Sequence, residues 1–271
     1  MGRKQRPLLM GSNLKMFKTA EQTRAYLEAL QNLTADIPRT EVQLFIIPSY
    51  IALPAALQQV DQNLIRIGAQ NVFWEDAGAW TGEVSPVMLK DLGVTQVELG
   101  HSERREHFGE TDLTVQRKVQ AVLRNGMHAL ICVGETAQDK ELGVGPERLR
   151  EQVKIALHGV PEEALEHIWI AYEPVWAIGE RGVPATAPYA NAMHGVIRTV
   201  LTELYPNRGA GVPVLYGGSV NLENAESLIE QPDVDGLFVG RSAWDAERFN
   251  EMIRRTLKVW KRRRGGEKAD Q

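Results

Sequence analysis

The chain is poor in the features that mark several protein classes. It has a single cysteine, Cys132, among 271 residues. That excludes an internal disulfide framework and a cysteine-rich metal cluster. Cys132 lies in the apolar run His128 to Val133, where a free thiol packs as a small hydrophobe more often than it reacts. No apolar run approaches the roughly 20 residues that a membrane-spanning helix needs. The basic start, Met1 to Pro7, is not followed by an apolar segment of signal-peptide length, so a cytoplasmic location is the default expectation. Net charge is small, at -4. It argues against bulk nucleic-acid binding, while local positive groups can still hold a small anion. No linker rich in Pro, Gly or Ser and no low-complexity block divides the sequence.

What is present is alternation. Hydrophobic residues make up 43% of the chain, enough for a sizeable core. The pattern predicts short buried strands at Leu8–Gly11, Val42–Ile47, Ile65–Ala69, Gln96–Gly100, Ala129–Val133, Ile168–Tyr172, Val214–Tyr216 and Leu237–Val239. Between them, segments such as 20–33, 112–125, 147–158 and 187–204 carry apolar residues at helical spacing with charges between. Eight strand–helix units favour a parallel sheet closed into one (β/α)8 TIM barrel, which typically takes roughly 250 residues. The expected domain is single, with the barrel over about 8–257. A basic tail over 258–271, containing Lys261-Arg262-Arg263-Arg264, is expected to fray into solvent. An open doubly wound sheet is the alternative, and no Gly-rich dinucleotide fingerprint follows the first strand to favour it.

Five segments carry candidate chemistry. They are Asn13-Leu14-Lys15-Met16, Leu99-Gly100-His101-Ser102-Glu103-Arg104-Arg105, Ala171-Tyr172-Glu173-Pro174-Val175-Trp176, Tyr216-Gly217-Gly218-Ser219-Val220 and Val239-Gly240. Each has a plain reading when taken alone. Glu173 ends a strand and can cap a turn. His101 can be a packed histidine at a helix start. Lys15 and Glu103 can be partners in a surface ion pair, and Gly-Gly-Ser can be only a turn. Chemistry gains weight from position, because barrel enzymes keep their reacting groups at the C-terminal strand ends.

In this order and at this spacing, the segments resemble the triosephosphate isomerase family over nearly the whole chain. The resemblance implies a cofactor-free and metal-free isomerase of small phosphorylated sugars. Glu173 would be the base and His101 the electrophile, kept as neutral imidazole by the helix start. Asn13 and Lys15 would complete the catalytic set, with Glu103 in support of the lysine. Gly179, Ser219 and the pair Gly240 and Arg241 would seat the phosphate through backbone N–H groups. Pro174 to about Pro184 would be a lid. Gly78-Ala79-Trp80-Thr81-Gly82-Glu83 would interdigitate with a second copy, Thr81 reaching its Asn13 and His101, which implies a homodimer.

Three places depart from the family pattern. Gly240-Arg241 stands where Gly-Gly is usual. The lid, Gly179-Glu180-Arg181-Gly182-Val183-Pro184, reads as one residue longer than expected. Leu14 replaces a tryptophan, and Phe17 follows Met16. These changes cluster on the phosphate loops and lid while the base and electrophile are intact. The chain is similar in these respects to the L-erythrulose-1-phosphate isomerases, which implies conversion of L-erythrulose 1-phosphate to D-erythrulose 4-phosphate. The triose-phosphate pair is the alternative substrate, since one extra hydroxymethyl group is a modest discriminator of about 1–3 kcal/mol. Two further readings stand beside these. One is a Schiff-base aldolase using Lys15. The other is a non-catalytic barrel docking through its basic tail.

Overall fold

The structure is a computed structural model, which describes residues 6–179 and 182–266. Eight parallel strands close a barrel in chain order. They are β1 (Leu8–Asn13), β2 (Val42–Ile47), β3 (Ile65–Ala69), β4 (Gln96–Leu99), β5 (His128–Val133), β6 (Ile168–Tyr172), β7 (Val214–Tyr216) and β8 (Gly236–Val239). β1 pairs with both β2 and β8, so the doubly wound alternative is excluded. Helices surround the barrel: α1 (Ala20–Leu33), α2 (Leu53–Gln59), α3 (Pro86–Leu92), α4 (Ser102–His107), α5 (Asp112–Arg124), α6 (Ala137–Glu141), α7 (Gly145–Ala156), α8 (Ala187–Leu204), α9 (Ala225–Ile229) and α10 (Ala246–Gly266).

The strands read as continuous apolar runs because both faces are buried. Alternate side chains then sort into two cores. Leu9, Phe45, Ile47, Leu130, Trp169, Leu215 and Phe238 fill the barrel interior. Their neighbours Leu8, Met10, Leu44 and Ile46 pack outward against the helices. Phe45 stacks on Phe238 with ring centroids 5.5 Å apart and meets Trp169 edge-on at 5.4 Å. Gly11 makes this possible, since a Cβ there would lie 2.2 Å from the Phe45 ring.

Most expected boundaries hold within two residues. β1 runs on to Asn13, two residues past the expected end, because Asn13 still pairs with Ile47. The C-terminal segment differs more. The barrel's last helix does not end at 257 but continues to Gly266. Val259 and Trp260 are buried in it, each 3% exposed. Arg263 donates from Nη1 to the carbonyls of Ile229 and Val234, at 2.6 and 3.1 Å. Lys261 pairs with Glu41 at 2.6 Å and Arg262 with Glu230 at 2.8 Å. The basic run therefore clamps the last helix to the barrel. The rest of the expected tail, 267–271, lies outside the described residues. Among the described residues, no helix is long and apolar enough to cross a membrane.

Candidate active site

At the C-terminal rim, β1 delivers Asn13 and then turns sharply. Lys15 has φ 51°, the one positive value at a non-glycine among the described residues. A lysine in that region costs about 1–2 kcal/mol, so neighbours must hold it. Asn13 Oδ1 accepts the Lys15 N–H at 2.7 Å. Gln70, just past β3, donates from Nε2 to Asn13 Oδ1 at 3.0 Å and to the Lys15 carbonyl at 2.8 Å. The turn aims Lys15 Nζ at Glu103 Oε1, 2.5 Å away. An ammonium committed to a carboxylate suits an anion anchor and not an amine nucleophile, which disfavours the aldolase reading.

His101 follows Gly100, whose φ is 75°, and caps α4. Its Nδ1 accepts the backbone N–H of Glu103 at 3.2 Å. That bond fixes the tautomer: Nδ1 is the acceptor, so Nε2 carries the hydrogen and presents it to the barrel mouth. Glu103 lies behind, half-buried. Burial pushes its carboxyl up, but the Lys15 hydrogen bond and the charges of His101, Lys15 and His107 hold it below its ordinary value.

Glu173 stands directly after β6, 2% exposed. Its backbone N–H donates to the Val133 carbonyl at 2.7 Å. Its Oε2 accepts the Ser102 N–H at 3.5 Å, and its Oε1 lies 3.7 Å from His101 Nε2. Two glycines leave room for it. A Cβ on Gly217 would come within 2.9 Å of Glu173 Cγ, and one on Gly134 within 1.8 Å of its carbonyl oxygen. The chain then enters the expected lid through Pro174 and one 3-10 turn, Val175–Ala177. Trp176 Nε1 donates to Glu135 Oε1 at 2.8 Å, and that oxygen also takes the hydroxyls of Tyr172 and Tyr189 at 2.9 and 3.0 Å. Glu180 and Arg181 lie outside the described residues.

These strand ends surround one cleft of about 290 Å³. Asn13, Lys15, His101, Glu173, Gly179, Ser219, Gly240 and Arg241 all line it. Two expected residues do not. Glu103 sits behind Lys15 and His101, and Thr81 is exposed on the loop 70–85. The segment after β8 begins with a 3-10 turn, Arg241–Ala243, and not with a full helix. Its carbonyl at Ala243 accepts the Tyr26 hydroxyl at 2.7 Å. Of the departing residues, Phe17 packs on Trp244 with the rings tilted and their centroids 4.4 Å apart, and Trp244 Nε1 donates to the Asn13 carbonyl at 3.0 Å. Leu14 is buried in the outer core, 1% exposed.

Sequence reasoning missed four residues that shape the site: Gln70, Glu98, Glu135 and Trp244. Glu98 had a usable signal. In Gln96-Val97-Glu98-Leu99, Val97 and Leu99 pack in the outer core, so strand alternation turns Glu98 inward, where a carboxylate has no structural reason to be. Burial is the main force that pushes it up to about 7, and Glu173's charge adds to this. Glu98, Cys132 and Glu173 are the one group of metal-binding side-chain types whose donor atoms, among the described residues, lie within 4.8 Å of one another. Burial and the two carboxylates raise the Cys132 thiol well above its ordinary value, and a neutral thiol is a poor ligand.

Comparison with known proteins agrees with this geometry. The family model described as Triosephosphate isomerase matches residues 8–256. A Rhizobium etli protein named L-erythrulose-1-phosphate isomerase is 52% identical over 248 residues, covering 91% of each chain. The protein of that name from Brucella abortus is 48% identical, covering 91% of this chain and 95% of its own. The one from Rhizobium meliloti is 46% identical, covering 93% and 98%. A match over nearly the whole barrel, with the strand-end residues gathered in one cleft, means that this chain belongs to the triosephosphate isomerase family.

Proposed function

We propose that this protein is a sugar-phosphate isomerase that moves a carbonyl by one carbon through an enediolate, and that it converts L-erythrulose 1-phosphate to D-erythrulose 4-phosphate. One observation carries the reading: Glu173 Oε1 and His101 Nε2 lie 3.7 Å apart at the floor of one cleft. In a bound ketose phosphate, Glu173 takes the proton from C3. The C3–H electron pair forms the C2–C3 double bond, and the carbonyl electrons move onto the C2 oxygen. His101 Nε2–H donates to that oxygen as charge develops. The C3 hydroxyl proton passes to the C2 oxygen through the imidazole, and Glu173 returns its proton to C2. Both electrons stay within the substrate, so the reaction as written needs no redox partner. Lys15 and the backbone N–H groups near Gly179, Ser219, Gly240 and Arg241 hold the phosphate. The lid excludes water, which protects the enediolate. By the same reading, the working unit is a homodimer in which the Thr81 loop of one copy completes the other's site.

The substrate assignment is supported by the names of the relatives and by the changes at Arg241 and the lid. The triose-phosphate reading keeps support from the family model, and the Glu173–His101 pair would serve it equally. Turnover by the purified protein on both substrates, compared as kcat/KM, separates them. A preference for the tetrulose of about 10–200-fold is expected. A preference for D-glyceraldehyde 3-phosphate would overturn the substrate and keep the chemistry. No turnover on either would overturn the isomerase.

A further inference from the structure

Glu98 is a carboxyl of the site that the chemistry above leaves idle. It is fully buried beneath the cleft floor. Its Oε2 accepts the Asn13 amide at 2.8 Å. Its Oε1 lies 3.7 Å from the Cys132 sulfur and 4.0 Å from His101 Nε2. Among the described residues no lysine or arginine pairs with it, and Lys15 is engaged by Glu103. A carboxylate this deep, without a cation, loses its hydration uncompensated and takes up a proton instead. Glu173 adds a second pressure from within 4.8 Å, since two carboxylates so close resist ionising together. Their surroundings divide the roles. Glu173 lines the cleft and accepts a backbone N–H, which suits a carboxylate base. Glu98 has neither.

Resting on the isomerase reading, we propose that Glu98 is a positioning residue that works as a neutral acid. With its proton on Oε1, it holds the Asn13 amide in one orientation and leaves His101 Nε2–H free for the substrate oxygen. With that proton lost, a negative charge 4.0 Å from His101 Nε2 opposes the enediolate and turnover falls. The charged and titratable groups around it are Lys15 after β1, His101 at the start of α4, Cys132 on β5 and Glu173 after β6, with Arg105 behind Cys132 at its carbonyl. Burial dominates upward, the charges of His101 and Lys15 pull down, and the balance stands at about 7.

The test is the pH dependence of kcat/KM between about pH 5.5 and 9.5, which reports groups of the free enzyme. The wild-type enzyme should lose about tenfold per pH unit above a midpoint near 7. Glu98→Gln, a permanently neutral isostere that still accepts from Asn13, should lack that alkaline limb. A Glu98→Gln enzyme with the wild-type limb overturns the proposal, because a merely structural role moves KM or stability and not the profile. A second measurement needs no turnover and no variant that folds. Infrared difference spectra of the wild-type protein should show a carboxylic-acid band that bleaches with a midpoint near 7. Its absence at about pH 5.5 overturns the proton on Glu98. Failure of the isomerase reading is seen separately, as no turnover on either sugar phosphate while the band still titrates.

Discussion

At the residue scale, the proposed reaction divides its work between a carboxylate and an imidazole, and each can be removed singly. Glu173→Gln should lower kcat by about 10²–10⁴, the usual contribution of a positioned base, while circular dichroism and Tm stay near wild type. Full activity in that variant would sink the mechanism. Glu98 also makes a prediction about stability. Burial raises its folded pKa to about 7, above the ordinary carboxyl value of 4.5. The folded state therefore binds more protons between those values, and stability falls as pH rises through that window. Wild-type stability should drop between about pH 5 and 8 relative to Glu98→Gln, by on the order of a few kcal/mol, read as a falling Tm. Parallel curves would contradict it. The motif residues Asn13, Lys15, His101 and Glu173 were legible because short chain segments carry them. Glu98 was overlooked, because the alternation signal in its strand says only that it opposes Val97 and Leu99, and barrel closure decides which of the two faces is the interior.

Elements hold the site through ties that sequence spacing does not display. Glu135 anchors the turn that opens the proposed lid, where three side chains converge on one oxygen. Trp176→Phe removes one of these bonds, worth about 0.5–1.5 kcal/mol. It should change kcat and KM together, because it alters the balance between lid positions; stopped-flow fluorescence of lid closure would reveal it. The last helix makes the complementary case. Its basic run looked like a solvated tail because four adjacent charges commonly are. The carbonyls that Arg263 meets belong to α9 and the segment after it, which no local pattern announces. Trp260→Ala should cost about 3–5 kcal/mol, read as a lower Tm, whereas an unchanged Tm would remove the helix end from the core.

For the molecule as a whole, barrel closure was legible from the eightfold alternation, while the homodimer is a proposal that rests on the resemblance of the Thr81 loop. Several large apolar side chains lie exposed near the rim, among them Met16, Phe17 and Trp80, which is 51% exposed. If the Thr81 loop completes a neighbour's site, Thr81→Arg should lower the sedimentation mass and make specific activity fall on dilution. A fully active monomer would count against the dimer.

The seam between β1 and β8 also sets when this enzyme comes into being. The Asn13 carbonyl accepts the indole N–H of Trp244, and Arg264 donates to the Arg6 carbonyl across 258 positions of sequence. The cleft side of that seam therefore closes only once the chain has passed all eight strands and reached Trp244. A chain that stops before Trp244 carries Asn13, Lys15, His101 and Glu173 and still lacks the indole that ties Asn13 across the seam.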